Sequence, residues 1–238
     1  MRRIRETLAW SRAVKVSRKM RQEGPWKTFR YLLNRLSAWV RTARRERQYG
    51  ISTAKRISNQ DLGRSKTDYA CYSATEYETF EKVMQHVPVR KDQDVFVDVG
   101  SGKGRIVILA ARYPFKKVIG VELYQALNEI ARENIQAALA NLTCKDIEIV
   151  ETPAEEWVVP PEVNCFFFFN PFKGKTLVTF MSHIRESLKA APRKITIIYI
   201  RPNLFFEKDV AWQEWLDKKV EFSCAEDKVA VYVNREAV

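Results

Sequence analysis

The sequence predicts an α/β fold in which a mostly parallel β-sheet is covered by helices on both faces. Strand-like and helix-like runs alternate from residue 95 onward, the strand-like runs are uniformly apolar, and a hairpin ends the chain. A short helix is predicted near Val210 to Leu216, just before the hairpin, whose strands are separated by residues 225–228. The strand-like runs are VFVDV, KVIGVEL, DIEIV, NCFFFFN and KITIIYI, followed by VEFSC and VAVYV in the hairpin.

The net charge of +12 belongs entirely to the N-terminal segment. Residues 1–50 contain 15 Lys and Arg against three Glu, and the rest of the chain has 26 basic and 26 acidic residues. Residues 1–48 are predicted to form a basic helical extension, broken at Gly24-Pro25, with an apolar stripe along its second helix. This stripe could pack on the main domain, or the arm could attach to nucleic acid or to an anionic membrane surface. Its Arg-rich start also resembles a transit peptide.

The cysteine pattern predicts reduced thiols and no metal site. The four cysteines are widely spaced, without a CxxC pair or a histidine at metal-ligand spacing. A reducing, cytoplasmic compartment is therefore expected. No apolar run reaches the roughly 18 residues that a membrane-spanning helix needs. The cysteines are Cys71, Cys144, Cys165 and Cys224.

A glycine-rich turn follows the first strand of the predicted sheet. The strand VFVDV continues into Asp98-Val99-Gly100-Ser101-Gly102-Lys103-Gly104, and a helix is predicted from Arg105. Glycines at a strand-to-helix turn let backbone N–H groups approach a ligand closely. Glu122 ends the next strand, 24 residues after Asp98, where a carboxylate can accept both hydroxyls of a ribose. Together they predict a nucleoside-cofactor site.

The sequence of this turn matches the patterns of other nucleotide-binding sites less well. A nicotinamide-dinucleotide site has the pattern G-x-G-x-x-G, but here Arg105 takes the place of the third glycine. A pyrophosphate would also gain nothing from the nearby Asp98 carboxylate. The phosphate-binding pattern G-x-x-x-x-G-K-[ST] is absent from the sequence. A tight turn without a ligand remains the alternative.

The turn together with Glu122 resembles motifs I and II of class I S-adenosylmethionine-dependent methyltransferases, over roughly residues 68–233. The resemblance implies a Rossmann-like seven-stranded sheet of order 3-2-1-4-5-7-6, with the last strand antiparallel, and S-adenosyl-L-methionine as cofactor. It further implies that Glu122 binds the ribose and that Thr152 to Ala154 border the adenine. Pro153 stands where many members have Asp, so the N–H of Ala154 or the side chain of Glu155 would replace that contact.

Two further segments extend the resemblance. Asn170-Pro171-Phe172 resembles the N-P-P-[FY] loop of amino-group methyltransferases with one proline fewer, and a purely structural turn is the alternative. Residues 68–77 resemble a segment of Dot1-type lysine methyltransferases, and of bacterial proteins that share the NPF element and the IYxxP element at Ile198 to Pro202. Aromatic packing at a helix start is the alternative there.

The resemblance thus implies an enzyme that methylates an amino nitrogen, with protein lysine favoured and small-molecule or nucleic-acid amines as further options. Predicted domains are residues 1–48, a connecting loop and cofactor lid over 49–73, and a methyltransferase domain over 74–238. A non-catalytic cofactor-binding module, attached to nucleic acid or membrane through its basic arm, is the alternative function. The candidate catalytic residues are Asn170, Pro171 and Phe172. The candidate cofactor-binding residues are Tyr72, Thr75, Asp98, Gly100, Ser101, Gly102, Gly104, Glu122, Pro153, Ala154 and Asn170.

Overall fold

The computed structural model describes residues 17, 20–55, 57, 72–202, 206–207, 210–224 and 227–235. The chain divides into two compact units, Met1–Arg45 and Glu46–Val238. The longest helix, α1 (Pro25–Tyr49), follows Gly24, whose φ of +85° interrupts the helical conformation of residues 20–23. The predicted break at Gly24-Pro25 is therefore present. Most of the predicted helix before it lies outside the described residues.

The second unit contains five more helices and seven strands among the residues that the structure describes. The helices are α2 (Tyr77–Met84), α3 (Arg105–Ala110), α4 (Gln125–Ala138), α5 (Gly174–Ala190) and α6 (Val210–Gln213). The strands are β1 (Val95–Val99), β2 (Lys117–Glu122), β3 (Ile147–Glu151), β4 (Val163–Phe169), β5 (Thr196–Ile200), β6 (Leu216–Cys224) and β7 (Asp227–Asn234).

The seven strands form one sheet in the order β3-β2-β1-β4-β5-β7-β6. Strands β1 to β5 are parallel to their neighbours, whereas β7 is antiparallel to both β5 and β6. The predicted fold class and strand order are confirmed. The order reverses between β1 and β4, so the loops that follow these two strands diverge and leave a crevice at their carboxyl ends, where open α/β sheets bind ligands.

The run of four phenylalanines in β4 supplies both faces of the sheet. Because side chains alternate along a strand, Phe166 and Phe168 belong to one buried cluster, whereas Phe167 belongs to the cluster on the opposite face. All three are fully buried. A strand that is apolar at every position is therefore covered by helices on both sides, as its composition predicts.

Two predicted boundaries differ from the structure. The last helix ends at Gln213, and Leu216 instead opens β6, where it pairs with Asn234 of β7 and is buried. Trp212, Trp215 and Leu216 have the i, i+3, i+4 spacing of a helix, but Leu216 pairs with β7, and this tertiary contact overrides the local pattern. Strand β7 begins at Asp227, inside the predicted turn, where Asp227 pairs with Cys224 of β6. The buried Asp227 carboxylate also accepts a hydrogen bond from Arg201.

The cysteines that the structure describes are free thiols. Cys144 and Cys165 are buried, and burial raises the pKa of both thiols. Cys71 lies outside the described residues. Within the described part of the chain, His, Cys, Asp and Glu side chains form no group of three that could hold a metal ion. No helix in that part is both long and apolar enough to cross a bilayer.

Candidate active site

A cleft opens at the carboxyl ends of β1, β2 and β4, at the crevice that the strand order creates. It encloses about 830 Å³, counting the space at its open mouth, which suits a nucleoside-sized ligand. Its lining combines two carboxylates with aromatic and aliphatic side chains. The lining residues are Tyr72, Ser73, Ala74, Thr75, Asp98, Gly100, Ser101, Arg105, Ile106, Val121, Glu122, Leu123, Tyr124, Leu127, Thr152, Ala154, Phe167, Phe169, Pro171 and Phe172.

The glycine turn forms the floor of this cleft. The N–H groups of Gly100 and Ser101 donate to the carbonyl oxygen of Val121 in β2, at 2.8 and 3.1 Å. Gly100 has a φ of +81°, and a Cβ atom there would lie 2.9 Å from the Cβ of Pro171. Real Cβ atoms do not approach this closely. The glycine therefore lets the turn after β1 lie directly against the loop after β4.

A second close approach joins the turn to the predicted lid. Gly102 has a φ of +55°, and a Cβ atom there would lie 2.3 Å from the Tyr72 ring. The Tyr72 hydroxyl donates to the carbonyl oxygen of Thr53 at 2.6 Å, and Tyr72 also forms an isolated antiparallel bridge with Ile57. The aromatic ring is therefore fixed over the turn, at one side of the cleft.

Glu122 is held by two backbone donors at the cleft wall. Its Oε2 accepts from the N–H of Gly102 and its Oε1 accepts from the N–H of Tyr124, each at 3.0 Å. Hydrogen bonds of this charge-assisted kind are stronger than those between neutral groups. Because each carboxylate oxygen has a second lone pair, both oxygens can still accept hydroxyl groups of a ligand.

Asp98 adds a buried carboxyl group to the cleft lining, and Ser101 is a second buried polar residue of this lining. Asp98 is buried, and burial raises the pKa of its carboxyl group well above the ordinary value, with a further increase from the negative charge of Glu122. The buried Ser101 hydroxyl has no hydrogen-bond partner among the described residues. The Ser101 Oγ atom lies against β2, since a Cβ atom on Gly120 would be 2.8 Å from it. The Asp98 carboxyl is therefore the group suited to a positively charged part of a ligand.

Arg105 is a cleft residue that the sequence indicated only as a departure from the dinucleotide pattern. Its guanidinium donates to Thr53 Oγ1 at 2.6 Å, to the carbonyl oxygen of Thr75 at 2.9 Å and to Glu46 Oε1 at 3.1 Å. It also lies over the Tyr77 ring, 4.7 Å from the centroid. The available signal was one charged residue at the start of an otherwise apolar helix, RIVILA.

The structure brings most of the predicted site residues to one cleft. Gly102 and Gly104 lie in the turn beneath its lining, and Pro153 and Asn170 adjoin lining residues without being among them. Arg105, Phe167 and Phe169 also line the cleft, although they were not among the predicted site residues. Strand alternation places the two phenylalanines on one face of the sheet. The predicted residues in the lining are Tyr72, Thr75, Asp98, Gly100, Ser101, Glu122, Ala154, Pro171 and Phe172.

The loop after β4 has a defined backbone conformation. Asn170 has a φ of +41°, a left-handed conformation that Asn tolerates better than most residues. Phe172 is 2% exposed, and its ring packs against Phe180 of α5 with centroids 5.8 Å apart. Arg201, in the IYIRP segment after β5, lies over the Phe169 ring, 5.2 Å from the centroid. The two adjacent loops therefore meet at the rim of the cleft.

Residues 63–151, which include the turn and Glu122, match the sequence profile of the family described as "Histone methylation protein DOT1". Over 52 residues the chain is 42% identical to the Drosophila melanogaster histone-lysine N-methyltransferase specific for H3 lysine-79. That match covers 21% of this chain and 3% of the length of that curated relative.

Solved structures share the fold over a longer range. An RNA methyltransferase from Salinibacter ruber, in complex with S-adenosyl-L-homocysteine, superposes with a TM-score of 0.51 at 19% identity, over 69% of this chain and 95% of that one. The chain has the class I methyltransferase fold and is similar to the Dot1 family over residues 63–151. A ribosomal protein L11 methylase from Lactobacillus delbrueckii subsp. bulgaricus superposes with a TM-score of 0.52 at 12% identity, over 70% of this chain and 81% of that one.

The cleft of this chain fits S-adenosylmethionine. This cofactor has a positively charged methionine portion and a ribose with two hydroxyl groups. The buried Asp98 carboxyl lies in β1, immediately before the turn that the family places at the methionine portion. The anchored Glu122 carboxylate can accept the ribose hydroxyls. The cleft and its two carboxyl groups thus agree with the cofactor that the sequence resemblance implied.

The buried Asp98 predicts that cofactor affinity depends on pH. Because burial and Glu122 raise the pKa of Asp98, the cofactor-free protein holds this proton above the carboxyl group's ordinary pKa, and its stability decreases as pH rises toward the raised pKa. A cationic cofactor favours the ionised form, so we expect binding to release a proton in this window and affinity to increase with pH. Calorimetry in two buffers of different ionisation enthalpy measures the released proton. The same proton release in Asp98→Asn would contradict this assignment.

Proposed function

We propose that the chain transfers the methyl group of S-adenosylmethionine to an amino nitrogen, with protein lysine as the favoured acceptor. The observation that carries this proposal is the contact between the glycine turn and the loop after β4, where a Cβ atom on Gly100 would lie 2.9 Å from Pro171. The loop that resembles an amine-binding element is therefore adjacent to the turn that would hold the cofactor. The class I fold and the Dot1 similarity support the same reaction class.

The reaction requires the protein mainly to position the amine. When bound, S-adenosylmethionine supplies an electrophilic methyl group on a sulfonium. The amine would react in its neutral form, after losing a proton to solvent. The side-chain oxygen of Asn170 and the carbonyl oxygen of Pro171 would accept its hydrogen atoms and direct its lone pair toward the methyl group, and the thioether would be the leaving group. Alignment of two reactants in this way contributes as much as about 7–11 kcal/mol to lowering a barrier. Phe169 and Phe172 line the cleft and would exclude water from the reacting atoms.

The choice of protein lysine rests on the similarity to the Dot1 family. The matching residues, 63–151, include the segment before α2, the glycine turn and the acid after β2. The resemblances to an RNA methyltransferase and to a ribosomal protein methylase are of low identity and support the fold alone. Small-molecule and nucleic-acid amines are therefore the acceptors to compare with a protein substrate in the assay.

We expect Asn170→Gly to reduce methyl transfer by roughly 10- to 100-fold while leaving cofactor affinity unchanged, because it removes the side-chain acceptor that positions the amine and leaves the Pro171 carbonyl in place. Glycine suits the φ of +41° at this position, so the substitution removes the amide without straining the backbone. Incorporation of tritium from labelled S-adenosylmethionine into cell extract measures transfer, and calorimetry measures cofactor binding. The exposed Asn141 provides the control Asn141→Gly. Equal losses in transfer and cofactor affinity would show that Asn170 has only a structural role.

The alternative is a cofactor-binding module without catalysis, attached to nucleic acid or membrane through residues 1–48. The net charge of +12 confined to residues 1–50 is the observation that favours it. This alternative predicts cofactor binding with no tritium incorporation into protein, nucleic acid or small molecules of the extract. Incorporation into a protein band that requires Asn170 would contradict it.

A further inference from the structure

We propose that α1 binds an anionic membrane surface, lying parallel to the bilayer plane as an amphipathic helix. The exposed apolar residues and the positive charge of α1 support this proposal, which is independent of the proposed methyl transfer. An interfacial helix of this kind combines an apolar face containing Trp, Phe and Leu with a face rich in Lys and Arg.

The apolar face of α1 is exposed along three turns or more. Trp26, Leu36 and Trp39 are 70%, 58% and 66% exposed. These three residues and four further exposed apolar residues recur at the i, i+3, i+4, i+7 spacing, which places their side chains on one face of the helix. Isolated surface apolar residues are common, but a contiguous stripe containing two tryptophans indicates an interaction site. The four other residues are Phe29, Leu32, Leu33 and Val40.

The rest of the helix circumference is strongly basic. Helix α1 contains seven Lys and Arg residues and a single acidic residue, Glu46. Lys27, Arg30, Arg35 and Arg41 lie outside the apolar stripe in the helical spacing. Residues 51–238 have equal numbers of basic and acidic residues, so the whole excess charge is concentrated in the N-terminal segment. Each basic residue near an anionic bilayer surface adds to the attraction.

An anionic bilayer uses both properties of this helix. A nucleic acid backbone would use the cations but gain little from exposed Leu and Val side chains. A second copy packed as a coiled coil would need only a narrow seam of alternating spacing, whereas Leu32 and Trp39 widen the stripe beyond such a seam. Tryptophan is also favoured at the boundary between headgroups and hydrocarbon. The lipid surface is therefore the occupant that the composition fits best.

Sedimentation of the full-length protein with phosphatidylcholine vesicles, with and without phosphatidylserine, tests the proposal. We expect binding to the anionic vesicles that weakens with salt, and weak binding to neutral ones. The double variant Leu36→Ser/Trp39→Ser should reduce binding by roughly tenfold or more, because it removes two inserted side chains. The matched control is Val158→Ser/Val178→Ser, which alters two exposed apolar residues outside α1 and should bind like the unaltered protein.

Several results would overturn this inference. They are no binding to anionic vesicles, equal binding to neutral vesicles, or full binding by Leu36→Ser/Trp39→Ser. Concentration-dependent self-association that this variant abolishes would assign the stripe to a second copy. Binding of duplex RNA or DNA, in place of vesicles, would assign the arm to nucleic acid. All variants should bind the cofactor with unchanged affinity, which would show that they are folded. Loss of membrane binding can then be distinguished from a failure of the proposed methyl transfer.

Discussion

Glu122→Ala is expected to lower the affinity for S-adenosylmethionine by at least about 100-fold, equivalent to about 3 kcal/mol. The substitution removes the acceptor for the N–H groups of Gly102 and Tyr124 together with the carboxylate available to the ribose. Charge-assisted hydrogen bonds each contribute about 1.5–3 kcal/mol, so the loss of two or more accounts for an effect of this size. Titration calorimetry of the purified full-length protein measures it.

Glu151→Ala is the matched control for this experiment. Glu151 ends β3 and is paired in register with Glu122, but it is exposed and lies outside the cleft lining. We expect cofactor affinity within about twofold of the unaltered protein, because surface substitutions usually have small effects. Removal of the Glu122 charge should also lower the pKa of Asp98, since this charge is one of the two causes of its increase. Unchanged affinity in Glu122→Ala would refute the ribose-binding role.

Gly102→Ala is expected to weaken cofactor binding by more than tenfold and to destabilise the protein by about 1–2 kcal/mol, the usual strain of a left-handed conformation with a Cβ atom. The new Cβ atom would lie 2.3 Å from the Tyr72 ring, so the ring must move. Its movement would break the 2.6 Å hydrogen bond from the Tyr72 hydroxyl to Thr53 and displace one side of the cleft. Thermal unfolding and calorimetry measure the two effects.

Gly24→Ala introduces the strain of a left-handed conformation without a steric clash, and is therefore the control for Gly102→Ala. Gly24 has a φ of +85°, similar in sign to that of Gly102, but a Cβ atom there would meet nothing within 4 Å. We therefore expect Gly24→Ala to leave cofactor affinity unchanged. If the two variants bind cofactor equally well, Tyr72 does not need its position over the turn, and its assignment to the cofactor lid is wrong.

The alternation of strands and helices and the core of the site were predictable because their signals are local in sequence. Asp98, the three turn glycines and Glu122 lie within 25 residues, and each follows or ends an apolar strand. Parallel strands meet at one edge, so residues after β1, β2 and β4 converge there once the order is known. The similarity to known methyltransferases then supplied the order itself.

The contacts that hold the cleft wall were not predictable in this way. Arg105 bonds to Glu46 and Thr53, which are 59 and 52 positions away in the sequence, and no periodic pattern connects them. The approach of Gly102 to Tyr72 likewise depends on how the segment before α2 folds back over the turn. Such pairs depend on tertiary packing, whereas apolar periodicity reports only which face of an element is buried.

The pairing of Arg105 with Glu46 affects how the protein can be shortened. The side chains of Arg105 and Glu46 are 4% and 15% exposed and lie 3.1 Å apart. A protein that begins at Gly50, close to the predicted boundary at residue 48, lacks Glu46 and leaves the guanidinium charge buried without its carboxylate. Uncompensated burial of this kind costs about 3–5 kcal/mol, a large fraction of the stability of most domains. Expression of the catalytic part in isolation therefore needs a start point upstream of Glu46, within the basic helix itself.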